Sequence, residues 1–473
     1  MKKICLAMIA AVLLVNPAAV TPQPASVDPA ALRRLQETIR EQREQLQRQA
    51  RQLQAQAELL ESLQKQLDAL KQAAGPSVPV AGPAVKTATP PVAAATAPPG
   101  APAGSFPAAA APPSPPPPAP VAGTDMKAAS AGTIVSGSDR IKLSISGQIN
   151  RAVNFVDDGY SAKIYHVDNA ASNTRFRLAG TARVSDDLSL GSRLEVAAAP
   201  DMSTQVSQND QSPGNFLDTR WAEVSLTSHR YGKIYLGKGD TASNSTAEVD
   251  LSRTDVVQYA SIADIAGGML FREKGADGAF TAVRVADAFS DQDGLSRQSR
   301  LRYDSPRFFG FGLSGSLVSN QRSDLALFWG GEGYGFQTAA AAALANPRLD
   351  DNGLRYDGSF SVLHTGSGLN LTVSGGRQEI HNRQDAVNFY AKVGWLANLN
   401  RFGITAFGVD YTLSRNLPAN DDKGYSLGAA AVQSFDSLAT ELYLQYRIFS
   451  LDRKSGPAVG DINVGTVGAR IKF

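Results

Sequence analysis

The sequence predicts an all-β fold, a 16-stranded antiparallel transmembrane β-barrel, preceded by a signal peptide, a coiled-coil helix and a Pro/Ala-rich linker. Three observations carry this. From residue 139 to Phe473 apolar and polar residues alternate in stretch after stretch, the period of a strand whose two faces meet different surroundings. Short turn clusters separate alternate pairs of those stretches, and longer polar connections join the others, the asymmetry of a membrane barrel. Beyond residue 15 no apolar run approaches the ~20 residues a membrane helix needs.

Composition removes other classes. With 46 Lys+Arg against 44 Asp+Glu in 473 residues, the chain lacks the basic surplus of a nucleic-acid binder. A single cysteine excludes a disulfide scaffold and any cysteine-based metal cluster.

Residues 1–25 read as an export signal: Lys2 and Lys3, the apolar run Ile4 to Val15, then Asn16-Pro17 and small residues. About twelve apolar residues are too few to span a bilayer. Removing the signal takes away Cys5 and two lysines, leaving 46 − 2 = 44 basic residues against 44 acidic ones.

Residues 28–72 carry a heptad seam. Leu32, Ile39, Leu46, Leu53, Leu60 and Leu67 recur every seven residues, with Leu35, Gln42, Gln49, Gln56, Leu63 and Leu70 offset by three. A seam of that length predicts a coiled coil, because a lone helix would leave its leucines in water. Residues 73–138 form the linker, dominated by Ala and Pro and ending its proline run at Pro118. Proline keeps such a tract extended, so it reads as a spacer.

The barrel follows at 139–473. Ile141, Leu143, Ile145, Gly147 and Ile149 share one parity; Lys142, Ser144, Ser146, Gln148 and Asn150 share the other. The pattern returns at 174–184, 188–198, 220–227, 309–319, 354–364, 369–379, 386–396, 404–414, 425–435, 439–449 and 461–473. Turns fall at 185–187, 229–232, 305–310, 330–335, 365–368, 398–403 and 436–437. Seven turns delimit fourteen strands, and an opening and a closing strand make sixteen. An even count lets the last strand pair with the first, so no edge is left in lipid. A large soluble β protein would need something to cover the apolar faces, and the chain offers little. Arg151 shares the outward parity of Ile149 and Val153. A charge facing mid-bilayer lipid costs ~2–4 kcal/mol, so it is expected at the rim or against a neighbouring subunit. Phe473 ends the chain with Ile471, Ala469 and Val467 at alternate positions behind it, and reads as the terminal aromatic signature that barrel insertion machinery recognises.

The run Arg300-Leu301-Arg302-Tyr303-Asp304-Ser305-Pro306-Arg307-Phe308-Phe309-Gly310-Phe311 resembles the strand–turn–strand motif of general Gram-negative porins. Residues 147–152 and 231–238 are similar to the first and fifth strands of that family. The rod and linker depart from the commonest members, while porins with a periplasmic coiled coil are similar in plan. The resemblance implies a homotrimer of water-filled channels in the bacterial outer membrane, passing small hydrophilic solutes and ions by passive diffusion. It also implies that the longest connection, Gly239 to Leu295, folds inward and narrows the channel. That stretch holds ten acids, among them Asp240, Glu248, Asp250, Asp255 and Asp264, against four bases; part of 268–290 also has strand character. Arg175, Arg177, Arg183, Arg193, Arg300 and Arg302 have inward parity, so acids would face arginines across the neck and set up a transverse field. The rod also suggests a second role, a tether to the cell wall. The four histidines are scattered, and no nucleophile elbow or phosphate loop occurs; neither an enzyme nor a cofactor is expected.

Overall fold

The chain divides into two units, Met1–Ala110 and Ala111–Phe473. The computed structural model describes residues 134–473 apart from 139, 276 and 349–351. The signal, the heptad rod and the linker up to residue 133 lie outside the described residues.

Alternating side chains make twenty strands. They are β1 (Ile134–Gly137), β2 (Ile141–Asp157), β3 (Ala162–Asp168), β4 (Arg175–Arg183), β5 (Leu188–Pro200), β6 (Asn215–Ser228) and β7 (Gly232–Asp240). Next come β8 (Leu270–Arg272), β9 (Phe280–Arg284), β10 (Arg297–Asp304), β11 (Phe311–Val318), β12 (Arg322–Gly333), β13 (Phe336–Asn346) and β14 (Asn352–His364). The last six are β15 (Leu369–Ile380), β16 (Ala386–Asn400), β17 (Gly403–Arg415), β18 (Lys423–Phe435), β19 (Thr440–Asp452) and β20 (Ile462–Lys472). All four residues of β1 already pair with β2 before the wall begins, inside the stretch assigned to the linker.

The wall is one antiparallel sheet. It runs from β2 to β4, through β5, β6 and β7 to β10, then in chain order to β20, which returns to β2. β3 and β4 act as one wall strand: β3 pairs with Arg151–Asp157 of β2 and β4 with Ile141–Gln148. Between them the chain steps aside in a 3-10 turn, Ala170–Ser172, capped by Asn169, whose Oδ1 accepts from Ala171 N at 3.0 Å. Counting β3 and β4 once gives the predicted sixteen. Part of the polar stretch after the first wall strand, Ala162–Asp168, is therefore wall rather than loop.

Closure runs from Gln148↔Lys472 to Asp157↔Asn463, so the ladder has no edge to satisfy in lipid. Phe473 completes it. Its N donates to Gly147 O at 3.0 Å and its O accepts from Gly147 N at 2.6 Å. Its ring covers Gly147 so closely that a Cβ there would lie 2.7 Å from Cζ.

The outward parity is mainly apolar, with Ile149, Leu194, Leu236, Leu313, Leu327, Leu371, Val409 and Leu444 all exposed. Aromatic side chains gather toward the turn end (Tyr231, Phe309, Tyr334, Phe336, Phe402) and toward the other end (Phe155, Tyr356, Phe389, Tyr411), the two girdles of a lipid-embedded barrel. All seven turns stand where the sequence puts them. The longer connections vary: 201–214 and 416–422 are loops, 319–321 suffices between β11 and β12, and a single connection, 241–296 between β7 and β10, takes most of the length. Among the described residues no helix is long and apolar enough to cross a membrane.

Candidate functional site

The 241–296 segment folds inward and is fastened to the wall by wall side chains that would otherwise face water. Ala242 N donates to Ser316 Oγ (2.6 Å) and Ser243 N to Asp324 Oδ2 (2.9 Å). Val249 N and Leu251 N donate to Ser359 and Ser361 hydroxyls. Further round, Gln445 donates to Val257 O, Asn169 to Val256 O and Asn154 to Ile265 O. The segment thus tracks the inner wall from β11 past β19 to β2, and the small polar inward parity of these strands is what lets it lie close. Its apolar side packs Val256, Ile262, Ile265, Met269 and Phe289 against Tyr390, Val432, Phe449 and Ile462 of the wall. The return limb is tied to the outgoing one: Asp293 accepts from Ser245 N (2.8 Å) and Ala247 N (3.1 Å), and Ser243 Oγ from Leu295 N (3.0 Å). β8 and β9, the strand content expected within 268–290, form a hairpin that bridges Glu273 to Val459 of the 453–461 connection.

The strongest tie is ionic. Lys392 of β16 is fully buried and ion-paired with Asp250; its Nζ also donates to Thr254 Oγ1 and Gln258 O, both at 2.9 Å. A second buried pair, Arg447–Asp410, is a two-pronged fork of 2.8 and 2.6 Å in the wall itself. Gly428 makes room for it, since a Cβ there would lie 2.5 Å from Arg447 Nη2.

Opposite the inner segment stands the arginine wall. Glu195 receives Arg177 (2.7 Å) and Arg220 (2.6 Å), with Arg175 at 3.9 Å. Glu223 receives Arg193 Nε (2.7 Å) and Arg300 (2.5 Å). Trp221 stacks between Arg177 and Arg193, whose Cζ atoms lie 4.5 and 3.5 Å from its ring centroid. Five arginines thus gather on two glutamates.

The predicted residues divide between these surfaces. Arg175, Arg177, Arg193 and Arg300 belong to the wall cluster; Arg302 adjoins it, spent on Asp304 at 2.7 Å. Arg183 does not join them: it sits exposed at the turn end of β4. Of the acids, Asp240 closes β7 and pairs with Arg297 at 2.9 Å. Asp250 is consumed by Lys392 and does not face the lumen. Glu248, Asp255 and Asp264 are half-buried on the inner segment. Burial pushes the Asp255 carboxyl up while Arg470 and Lys472 pull it down. Asp264 accepts from Tyr259 Oη; burial and the Asp291 charge raise it to about 6 against the opposing pull of Arg220 and Arg297. Asp293, pushed up by burial and Asp291 to about 7, also feels Arg297. Arg220, Arg297, Glu195, Glu223 and Lys392 went unnoticed in the sequence. The inward parity of Glu195 beside Arg193 was the available signal. Among the described residues no group of histidines and carboxylates is placed to hold a metal ion.

Arg151 stays outward and mid-wall, not at the rim. Its Nη1 donates to Pro200 O at 2.5 Å and lies 3.8 Å from Asp168, where β3 and β4 part.

A closed sixteen-strand barrel with a segment folded into it defines a bacterial outer-membrane channel. The chain belongs to the Gram-negative porin family, whose model matches residues 94–456. No curated protein matches it. Its fold is similar to an anion-selective porin from Comamonas acidovorans (15% identity, 70% of this chain and 100% of that one, TM-score 0.49). It is also similar to OmpF of Salmonella typhi in complex with daunomycin (15%, 72% and 100%, 0.48) and to the outer membrane channel DcaP of Acinetobacter baumannii (12%, 72% and 99%, 0.48). The protein is a channel of the outer membrane.

Proposed function

We propose that the channel is a passive diffusion pore for small hydrophilic solutes, narrowed between the inner segment and the arginine wall. The observation that carries this is the inner segment, fastened inside the barrel at Ser316, Ser359, Ser361 and Lys392, with the arginine cluster on Glu195 and Glu223 elsewhere on the inner wall. Charged and polar side chains lining a neck order the water within it, so a dipolar solute exchanges one aligned environment for another while an apolar one loses hydration. Phe473, seated on Gly147 at the seam, suits a terminal signal for barrel insertion, since the last strand is the one that closes the cylinder. A homotrimer suits Arg151, which has Asp168 and Pro200 O as partners yet stays partly exposed on the outer face, since a subunit boundary would cover it where a bare charge against lipid costs ~2–4 kcal/mol.

Liposome swelling with sugars of increasing size tests the reading. Uptake should fall steeply with size and should rise when the inner segment is shortened. Equal permeability to all sizes, or none, would remove it.

A further inference from the structure

We propose that the space between the inner segment and β16–β19 is a binding site for internal water, behind the segment and away from the route that solutes take. The inward face of these strands is polar where a packed core would be apolar. Tyr390 stands opposite Thr412, Thr412 opposite Ser426, and Arg447 reaches across Gly428 to Asp410. Six side-chain atoms there have no hydrogen-bond partner among the described residues: Asn388 Nδ2, Tyr390 Oη, Thr412 Oγ1, Gln445 Oε1 and Arg447 Nε on the wall, and Gln258 Oε1 on the segment. None of these residues is more than 3% exposed, so bulk solvent does not reach the atoms. Buried polar atoms are rarely left unpaired. One buried water serves about three of them, so six atoms call for about two waters.

The chemistry of the six atoms selects the ligand. Arg447 Nε and Asn388 Nδ2 can only donate, the two glutamine oxygens can only accept, and the two hydroxyls do either. The glutamines are held in these orientations, since Gln258 Nε2 donates to Gly408 O (3.3 Å) and Gln445 Nε2 to Val257 O (2.8 Å). Charge is already matched here, Lys392 to Asp250 and Arg447 to Asp410. A cation would be opposed by the two donors and an anion by the two acceptors. A small neutral molecule that both donates and accepts satisfies all six. Glycine lets the segment come close enough to share the site: a Cβ on Gly408 would lie 2.2 Å from Gln258 Oε1. Phe289 of the segment and Phe449 of β19, with ring centroids 5.4 Å apart, close the site toward the end away from the turns, and Ala406 and Val432 toward the turn end. The segment is thus seated on β16–β19 through bound solvent, with dry packing on either side.

Hydroxyl-radical footprinting with an X-ray pulse tests this, because radicals formed from a bound water attack the side chain it touches however deeply that side chain is buried. Tyr443 is the control, being 3% exposed with its hydroxyl paired to Asn150 and Asn169. In the full-length protein in detergent, Tyr390 should be oxidised several-fold faster than Tyr443. Thr412→Val removes one of the partners and should lower the Tyr390 rate about twofold or more, leaving Tyr443 unchanged. Wild-type Tyr390 reacting no faster than Tyr443, or an unchanged rate in folded Thr412→Val, would overturn the proposal. So would rubidium located between Gln258 and Thr412 by anomalous scattering in crystals grown with rubidium chloride, which would make the occupant a cation.

Discussion

Lys392 reaches from the wall into the inner segment and is fully buried there, so its neutral replacement strands Asp250. Breaking a buried pair from one side costs about 3–5 kcal/mol, here concentrated on the ties that hold 250–258. Lys392→Met should leave the barrel folded but lower its melting temperature, and single-channel records should show larger current fluctuations; a quiet channel of wild-type stability would refute this. At the seam, Gly147→Leu places a side chain where the Phe473 ring lies, and should reduce the yield of heat-modifiable barrel on refolding. Parity alone revealed which arginines point inward, because strand period fixes the face of Arg175, Arg177, Arg193 and Arg300. It did not reveal their partners. Glu195 meets Arg177 and Arg220 across strand neighbours whose register depends on turn lengths and on a bulge in the β5–β6 ladder, information spread over the chain. Arg183 has the right parity and the wrong height.

Among the elements, the turns were the most legible, since Gly, Asp and Ser clusters mark sharp reversals in any context. β13 was the least: Ala339–Ala343 offers no contrast between faces, and only its neighbours β12 and β14 define it. The inner segment was legible in its length and acidity but not in its attachments, which come from Ser, Thr and Asn residues spaced round the wall. Its acids carry a pH dependence. Asp264 and Asp293 are raised to about 6 and about 7 from the ordinary carboxylate range. A group raised in the fold binds its proton more tightly there than in the unfolded chain, so its contribution is complete below about pH 4 and lost as pH rises through 6 and then 7. Raising pH from 5 to 8 should therefore loosen the segment, seen as faster amide exchange in 241–251 and 290–296. Asp293→Asn should flatten that dependence; exchange independent of pH after correction for its intrinsic rate would contradict it.

At the scale of the molecule, alternation over more than three hundred residues specified the barrel, while the step between β3 and β4 was hidden, because the chain there keeps its parity and merely changes partner along β2. Arg151 marks that step on the outer surface. If it lies at a subunit boundary, the native protein should migrate in mild detergent as an oligomer of three chains, and Arg151→Glu should weaken that oligomer while the monomeric barrel survives boiling-sensitive electrophoresis. Unchanged oligomers in Arg151→Glu would place the boundary elsewhere.

The most direct test of a closed, hydrated cylinder is single-channel conductance in a planar bilayer over a range of KCl concentrations. A water-filled path predicts discrete ohmic steps whose size rises with the conductivity of the bathing solution. Steps that saturate at low salt, or a bilayer left silent by correctly folded protein, would contradict it.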